Sequence, residues 1–273
     1  RKLPRITIKV SRHATKPPDI SLVIPGFSRG TLHLAHAITA RYWQDLRESD
    51  VHLTLSDTGW AKAAWGMIFG QWQLGATIVL YNAAPGFDAD AHLRLLAKHK
   101  VTTFCAPPTV YRTFAQLDLT KYDFSTVRHS FSAGEPLNPE VIRIWKDVTG
   151  TLVHDGFGQT ETTAQIGNSP GQPLVPGSMG RPLPGYTIDL LDADGQLADE
   201  GEISIRLDPR PLGLMPGYEG DAERTRQAMQ GGHYRTGDIA RRNEDGYITY
   251  VGRADDIFKA SDYRISPFEL ESV

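Results

Sequence analysis

The chain has 273 residues, enough for one large domain or two ordinary ones with a substantial hydrophobic core. Hydrophobic residues make up 40% of it and charged residues 22%, which is the composition of a soluble globular chain rather than a disordered or fibrous one. The net charge is −3 with both signs mixed, so the charge offers no argument for a nucleic-acid partner or for an anionic membrane.

Three further features narrow the class. No apolar run approaches the roughly 18–20 residues that cross a bilayer, so no membrane span is predicted. The basic stretch "RKLPRITIKVSRH" at the start has no apolar run behind it, unlike a secretory signal. The single cysteine, Cys105, excludes an internal disulfide and fits a reducing compartment, the cytoplasm or, in a eukaryote, the mitochondrial matrix.

The first half of the chain alternates between two kinds of segment. Short apolar or β-branched runs at 51–55, 77–81, 101–106 and 129–133 predict buried strands. Segments with helical spacing lie between and after them, at roughly 32–47, 61–73, 88–99 and 138–149. Asn138 before Pro139 is a good N-cap for the last of these. Strands separated by helices predict a parallel, covered sheet and hence an α/β fold.

After about residue 170 the pattern changes. A Pro/Gly-rich loop, "PGQPLVPGSMGRPLPGY", precedes the short strand-like runs "TIDLLDADG", "GEISIRLDP" and "GYITYVGRADD". Asp-Gly turns mark this region, which predicts a small antiparallel sheet or barrel. The last residues, "PFELESV", look like the beginning of a helix.

The stretch "HDGFGQTETT", residues 154–163, is the first candidate for a functional site. A strand that ends in Gly-x-Gly lets a ligand approach the backbone, because no Cβ stands in the way. The Thr160 hydroxyl could donate to a phosphate, and the Glu161 carboxylate could hold Mg²⁺, which takes one or two carboxylates beside phosphates. A solvated polar turn is the alternative interpretation.

Three more segments are candidates only together with the first. "SAGEPL" (132–137) follows a predicted strand at the sheet edge where α/β folds bind ligands, but it could be a routine turn before a helix. "YRTGD" (234–238) places Asp238 on a glycine-rich turn, where a carboxylate could accept bonds from two ribose hydroxyls. "GRADDIFKASDYRI" (252–265) alternates basic and acidic residues, and an ordinary charged surface loop would do the same.

In this order, the four segments together resemble the adenylate-forming superfamily of acyl-CoA synthetases, adenylation domains and luciferases. "SDTGW", "APPTVYR" and "GRADDI" are closest in spelling to the branch of medium-chain acyl-CoA synthetases and acetate-CoA ligases. The resemblance implies part of the large domain of such an enzyme. Residues 1–170 would form an α/β subdomain, 171–253 a β-rich subdomain, and 254–273 the hinge and the start of a C-terminal domain.

The resemblance also implies the site residues. The nucleotide would be held by Gly134, Glu135, Pro136, Asp155, Gly156, Phe157, Gly158, Gln159, Thr160, Asp238, Arg253 and Arg264. Thr160 and Glu161 would be the catalytic residues, with Thr160 at the α-phosphate and Glu161 as the Mg²⁺ ligand. Asp238 and Arg253 would hold the ribose. Outside the nucleotide site, the resemblance assigns Gly59 and Trp60 to the acyl pocket, Asp255 to the hinge and Lys259 to thioester formation.

The implied activity is an ATP-dependent acid–CoA ligase. A carboxylic acid, a medium-chain or similar fatty acid, would react with ATP to form an acyl-adenylate and pyrophosphate, and coenzyme A would then give acyl-CoA and AMP. Two alternatives are a module that binds AMP or ATP without catalysis and an adenylation domain that loads a carrier protein. The pattern leaves the identity of the acid and the oligomeric state, homo-oligomers included, undecided.

The chain departs from the family pattern in two places. The glycine-rich phosphate loop that ends in Pro-Lys should follow "ISLV", yet Pro25, Gly26 and Ser28 are the only traces of it and no lysine follows. Whole members also have an α/β region before residue 1 and a C-terminal domain after residue 273, which carries the adenylation lysine. We therefore expect the chain to represent part of the large domain.

Overall fold

The computed structural model describes residues 8–12, 32–56, 61–82, 86–135, 137–255, 258–260 and 263–265. The segment around Pro25, where the phosphate loop is expected, lies outside these residues, and so do Gly59, Trp60 and Pro136. The statements below concern the described residues.

The larger of the two main sheets has the strand order β1-β3-β2-β4-β5-β6-β7-β8. Its strands are β1 (Ile8–Arg12), β2 (Val51–Thr54), β3 (Thr77–Asn82), β4 (Thr103–Cys105), β5 (His129–Ala133), β6 (Val153–Gly158), β7 (Ala164–Gly167) and β8 (Arg181–Pro182). The strands from β1 to β6 pair in parallel, which confirms the predicted α/β sheet. β7 and β8 extend the sheet with antiparallel pairing, a feature that the sequence analysis did not predict.

Helices cover this sheet. They are α1 (Leu32–Tyr42), α2 (Ala61–Ala63), α3 (Phe69–Gln73), α4 (Ala89–Lys98), α5 (Pro108–Phe114) and α6 (Pro139–Thr149). The predicted cap of α6 is present, because the Asn138 side chain accepts a hydrogen bond of 2.8 Å from the Glu140 amide. A 3₁₀ turn at Leu119–Lys121 lies between α5 and β5.

Three helix predictions need correction. The helix predicted for 32–47 ends at Tyr42, and Asp45 beyond it has a left-handed φ of 47°. The segment 61–73 is not one regular helix, since a π-helical stretch, Ala64–Ile68, separates α2 from α3. The short α5 was not predicted, although its Pro108 stands in the first turn, where proline is favoured.

The second main sheet has four antiparallel strands in the order β12-β11-β10-β9. They are β9 (Ile188–Leu191), β10 (Glu200–Arg206), β11 (His233–Arg242) and β12 (Ile248–Arg253), with α7 (Ala222–Ala228) between β10 and β11. The predicted small antiparallel sheet is therefore present. A separate hairpin joins β13 (Phe258–Ala260) to β14 (Tyr263–Ile265).

Two apolar cores place the sheets. One face of the large sheet packs on the α4–α6 layer through Phe104, Phe114 and Trp145. A second core joins Trp43 and Phe131 of the large-sheet region to buried side chains of the small sheet such as Ile203 and Ile248. The two sheets thus share one continuous core, which brings the end of β6 against β11.

Candidate nucleotide site

The polar side chains of "QTETT", directly after β6, fall into a buried pair of threonines and a more exposed pair, Thr160 and Glu161. The Thr162 hydroxyl accepts from the Gln159 amide at 3.0 Å, and the Thr163 hydroxyl lies 2.9 Å from that of Tyr186. Both threonines are buried and serve the fold of the turn. Thr160 is exposed and Glu161 is partly exposed. Of this cluster, Thr160 and Glu161 are therefore the side chains presented to a ligand.

The two glycines of β6 face protein atoms. A Cβ at Gly156 would lie 2.6 Å from the Trp43 ring, and one at Gly158 would lie 2.5 Å from the Thr163 carbonyl oxygen. The sequence analysis attributed these glycines to the approach of a ligand. The structure corrects this reason, because the tryptophan ring and the neighbouring strand already require them.

Gln159 connects the two sheets. Its Nε2 donates to Asp238 Oδ2 at 2.6 Å and to the Thr236 carbonyl at 2.9 Å, and both acceptors lie on β11. Two segments that are 79 residues apart in the chain therefore meet side by side. The sequence order alone did not require this contact.

Asp238 is buried, and cationic and polar groups surround its carboxylate. Arg253 Nη1 lies 3.4 Å from Oδ2, and the Tyr250 hydroxyl donates to Oδ1 at 3.3 Å. Burial raises the pKa of the Asp238 carboxyl, and Arg253, Tyr250 and Gln159 act in the opposite direction. The sequence analysis placed "YRTGD" on a glycine-rich turn, but the segment lies within β11. There Asp238 pairs directly with Arg253 on β12.

Gly237 gives Arg253 its room. Its φ is +75°, and a Cβ there would lie 2.8 Å from Arg253 Nη2. Both the backbone conformation and the contact thus require glycine at this position. The same arginine also donates from Nε to the exposed Asp255 at 3.1 Å.

The ends of β5 and β6 lie beside each other, since Ala133 pairs with Gly156. Gly134 and Glu135 follow Ala133 directly, and Glu135 is exposed, with a 3.0 Å ion pair to Arg112. This is the sheet edge at which α/β folds bind ligands. The structure therefore brings the predicted Gly134–Glu135 segment next to the glycine-rich strand end.

A buried carboxyl and a largely buried amine lie beneath this edge. Burial raises the pKa of Asp155 to about 7, although its Oδ1 accepts a 2.9 Å bond from the Gly156 amide. Burial lowers the pKa of Lys62, whose amine donates to the Ala133 carbonyl. Lys62 was not predicted, because its segment reads as a plain amphipathic helix.

Glu161 fits a magnesium ligand. The Tyr218 hydroxyl donates to Glu161 Oε1 at 3.0 Å, and the Glu161 side chain is partly exposed. Within the described residues no group of three or more His, Cys, Asp or Glu side chains could hold a metal ion. A lone carboxylate agrees with Mg²⁺, which keeps several waters and takes its other ligands from substrate phosphates.

The other predicted residues lie in the β13–β14 hairpin and at the core between the sheets. Lys259 and Arg264 are cross-strand neighbours in the β13–β14 hairpin, which is described here by its backbone alone. Phe157 is partly buried against the core that joins the sheets. The sequence analysis missed Tyr218 and Tyr234, whose hydroxyls contact Glu161 and Gln159. The sequence analysis gave no role to "GYEGD" (217–221), and nothing in its composition points to Glu161.

Comparison with known proteins identifies the family of the chain. The chain belongs to the AMP-binding enzyme family, whose model matches residues 28–219. In the described residues no helix combines the length and the apolar character needed to cross a membrane.

Individual relatives agree with the family. The chain is 48% identical over 240 residues to 4-hydroxybutyrate–CoA ligase 1 of Metallosphaera sedula, covering 86% of this chain and 42% of that protein. It is 42% identical over 262 residues to a mitochondrial acyl-coenzyme A synthetase, ACSM3, of Rattus norvegicus, covering 94% of this chain and 44% of that protein. The chain thus spans less than half the length of these relatives.

Solved structures show the same fold. The anthranilate CoA ligase AuaEII, solved with anthranoyl-AMP, superposes with a TM-score of 0.80 at 32% identity and covers 89% of this chain and 46% of that one. An acyl-CoA synthetase of Brucella canis gives a TM-score of 0.76 at 34% identity, with coverage of 89% and 45%. These structures confirm the predicted fold class.

Proposed function

We propose that this chain is the nucleotide-holding part of an ATP-dependent acid–CoA ligase that activates a medium-chain or similar fatty acid. The observation that carries the proposal is the convergence of three separate segments. Gln159 of the glycine-rich strand end lies 2.6 Å from Asp238, and Asp238 pairs with Arg253.

Each group has a role that its chemistry supports. The buried Asp238 carboxylate has about four lone-pair sites on its two oxygens, and Gln159, Arg253 and Tyr250 already donate to three of them. One ribose hydroxyl would use the remaining site on Oδ1, and a second would replace one of the two long contacts, that of Arg253 at 3.4 Å or that of Tyr250 at 3.3 Å. Arg253 favours the charged form of that carboxylate, against the burial that raises its pKa. Gly134, Glu135 and Phe157 border the base, with Asp155 beneath it, and the exposed Thr160 hydroxyl donates to the α-phosphate. We keep Pro136, Gly59, Trp60, Lys259 and Arg264 in the roles that the family resemblance implies.

The reaction has two steps. An oxygen of the substrate carboxylate attacks the α-phosphorus of ATP, the bond to the bridging oxygen breaks, and pyrophosphate leaves with that electron pair. The sulfur of coenzyme A, having lost its proton, then attacks the acyl carbon, and AMP leaves. A Mg²⁺ ion held by Glu161 would neutralise phosphate charge. The chain's own contribution is to position the ribose and the α-phosphate.

Pyrophosphate exchange tests the proposal. In the full-length protein, radiolabelled pyrophosphate should enter ATP only when an acid is present, and a panel of fatty acids, 4-hydroxybutyrate and aromatic acids would rank the substrates. Asp238→Ala should weaken ATP and AMP binding alike, because ribose is common to both. If none of the acids in the panel supports exchange while AMP still binds, the result would favour the binding-only module.

The second half-reaction separates the remaining alternative. With coenzyme A, the ligase should release acyl-CoA and AMP, measured by mass spectrometry. Transfer to a phosphopantetheinyl carrier protein without turnover of free coenzyme A would instead identify a carrier-loading adenylation domain. The single cysteine agrees with a reducing compartment for this reaction, the cytoplasm or the mitochondrial matrix.

A further inference from the structure

The segment that precedes α7 reaches Glu161 twice. The Met215 amide donates to the Glu161 carbonyl at 2.8 Å, and the Tyr218 hydroxyl donates to its Oε1 at 3.0 Å. The first bond fixes the backbone of Glu161 and the second fixes its carboxylate. With one oxygen occupied, the carboxylate is oriented to offer the other oxygen to a cation.

Tyr218 is itself held from the opposite side. The Arg224 guanidinium lies 3.9 Å from the centre of its ring, and the Thr225 hydroxyl accepts a 2.8 Å bond from its amide. Both residues come from α7, the helix that Asp221 caps by accepting from the Arg224 amide. A ring clamped by a cation and a backbone bond has little freedom to turn, so its hydroxyl keeps its direction.

A second tyrosine continues the chain of hydrogen bonds. The Tyr234 hydroxyl, on β11, donates to Gln159 Oε1 at 3.1 Å, and Gln159 Nε2 donates to Asp238 at 2.6 Å. Tyr218 and Tyr234 are close enough for each to influence the pKa of the other hydroxyl. Polar contacts therefore join Tyr218 to Glu161 at one end and Tyr234, through Gln159, to Asp238 at the other, with the two tyrosines as neighbours between them.

We infer that Tyr218 and Tyr234 are positioning residues that fix the metal-binding carboxylate and the ribose-binding carboxylate relative to each other. The inference rests on the proposed function, which assigns Glu161 to the metal and Asp238 to the ribose. Neither hydroxyl touches the reacting atoms. Tyr218 acts through Glu161 and Tyr234 acts through Gln159, in the way that outer-shell hydrogen bonds orient metal ligands.

The two tyrosines have different expected effects. Removal of the Tyr218 hydroxyl frees the Glu161 carboxylate to rotate, so the magnesium concentration for half-maximal activity should rise by on the order of 10- to 100-fold. Metal-free AMP binding should stay within about twofold. Removal of the Tyr234 hydroxyl loosens Gln159 against Asp238, so AMP binding should weaken as well.

The test uses the full-length protein with Tyr218→Phe, Tyr234→Phe, the double variant and a matched control, Tyr247→Phe. The Tyr247 hydroxyl donates to the Pro173 carbonyl at 2.6 Å and contacts no site residue. Calorimetry measures ATP binding with and without Mg²⁺ and AMP binding without it, and pyrophosphate exchange measures the magnesium dependence. If both tyrosines serve one network, the effects of the single changes on magnesium should not add in the double variant.

Two outcomes decide the inference. A Tyr218→Phe variant whose magnesium dependence matches that of Tyr247→Phe would overturn it. If Tyr218→Phe lowers the melting temperature, Arg224→Met serves as the second variant, because it removes the guanidinium that lies on the Tyr218 ring. This variant should raise the magnesium requirement by a smaller factor than Tyr218→Phe, and no change would overturn the inference. Failure of the proposed function is separate, because it would abolish acid-dependent exchange in the unaltered protein while calorimetry still compares the variants.

Discussion

Replacement of Gly237 by alanine separates the cost of a backbone conformation from the cost of a blocked side chain. Gly237 has a φ of +75°, and the added Cβ would lie 2.8 Å from Arg253 Nη2. Gly246, in the turn that links β11 to β12, has a φ of +81° with nothing within 4 Å of the same Cβ. Gly246→Ala is therefore a matched control in the same hairpin.

Both variants should lose a similar amount of stability. The left-handed conformation costs a residue with a Cβ about 1–2 kcal/mol, and this cost is common to the two positions. The Arg253 side chain is 41% exposed, so it can swing toward solvent at little cost to the fold. Urea unfolding should therefore show comparable losses for Gly237→Ala and Gly246→Ala.

Nucleotide binding should distinguish the two variants. When Arg253 swings away, it leaves Asp238 Oδ2 and the Thr236 carbonyl, 3.4 and 3.2 Å from its Nη1. The ribose would then lose the bond that the proposed function assigns to Arg253. A hydrogen bond of a charged group is worth about 1.5–3 kcal/mol, so AMP affinity should fall by about 10- to 100-fold in Gly237→Ala. Calorimetry should find nearly unaltered affinity in Gly246→Ala. Equal affinity in both variants would refute the ribose-end role of the Asp238–Arg253 pair.

Three further predictions concern charge. Glu161→Gln should lower acid-dependent pyrophosphate exchange by about 100-fold, because a metal ligand is lost. The melting temperature should not change, since the side chain is partly exposed. Normal turnover or an unfolded variant would contradict the role of Glu161 as a metal ligand. The pKa of Asp155 is higher in the folded chain, about 7 against 3.8, so the folded chain binds the proton more tightly. Stability should therefore fall as pH rises between these two values, by up to about 1.4 kcal/mol per pH unit. Asp155→Asn should remove this slope in urea unfolding between pH 5 and about 7. Arg128→Met leaves the buried Asp50 carboxylate, 2.9 Å from Arg128 Nε, without its cation and should lower the free energy of unfolding by about 2–3 kcal/mol. Arg143→Met, at an exposed ion pair, should lower it by less than about 1 kcal/mol. Equal losses would show that burial of Asp50 does not matter.

The fold was predictable where local signals agree with tertiary structure. The run at 77–81, "TIVLY", is apolar and β-branched, and it forms β3 with parallel partners on both sides. The predicted strand at 129–133 is also present, and all five of its residues are buried. α6 has a cap and a proline at its start, which act within a few residues and so can be read locally. The π-helical stretch Ala64–Ile68 has no such local signature. Its Gly66 carbonyl instead accepts bonds from distant side chains, including Thr54 at 2.7 Å.

The site was predictable in its parts and not in its contacts. The motif spellings pointed to Glu161, Asp238 and Arg253, but the bond from Gln159 to Asp238 exists only because two sheets pack together. Tyr218 was missed for the same reason, since a tyrosine in "GYEGD" acquires its role from a carboxylate 57 residues earlier in the chain. Lys62 reads as an ordinary helix cation, and only the fold places its amine beneath the strand ends.

The contact between the two sheets at Gln159 and Asp238 couples nucleotide binding to the stability of the chain. Gln159 directly follows β6 of the large sheet and Asp238 lies on β11 of the small one, so a ligand that needs both can bind only when the sheets are docked. By mass action, a nucleotide present at 100 times its dissociation constant would add about 2.7 kcal/mol to the docked state. AMP would thus act as a reversible clamp. The melting temperature of the whole chain should then report nucleotide occupancy, and a fragment that ends before β11 should lack the response.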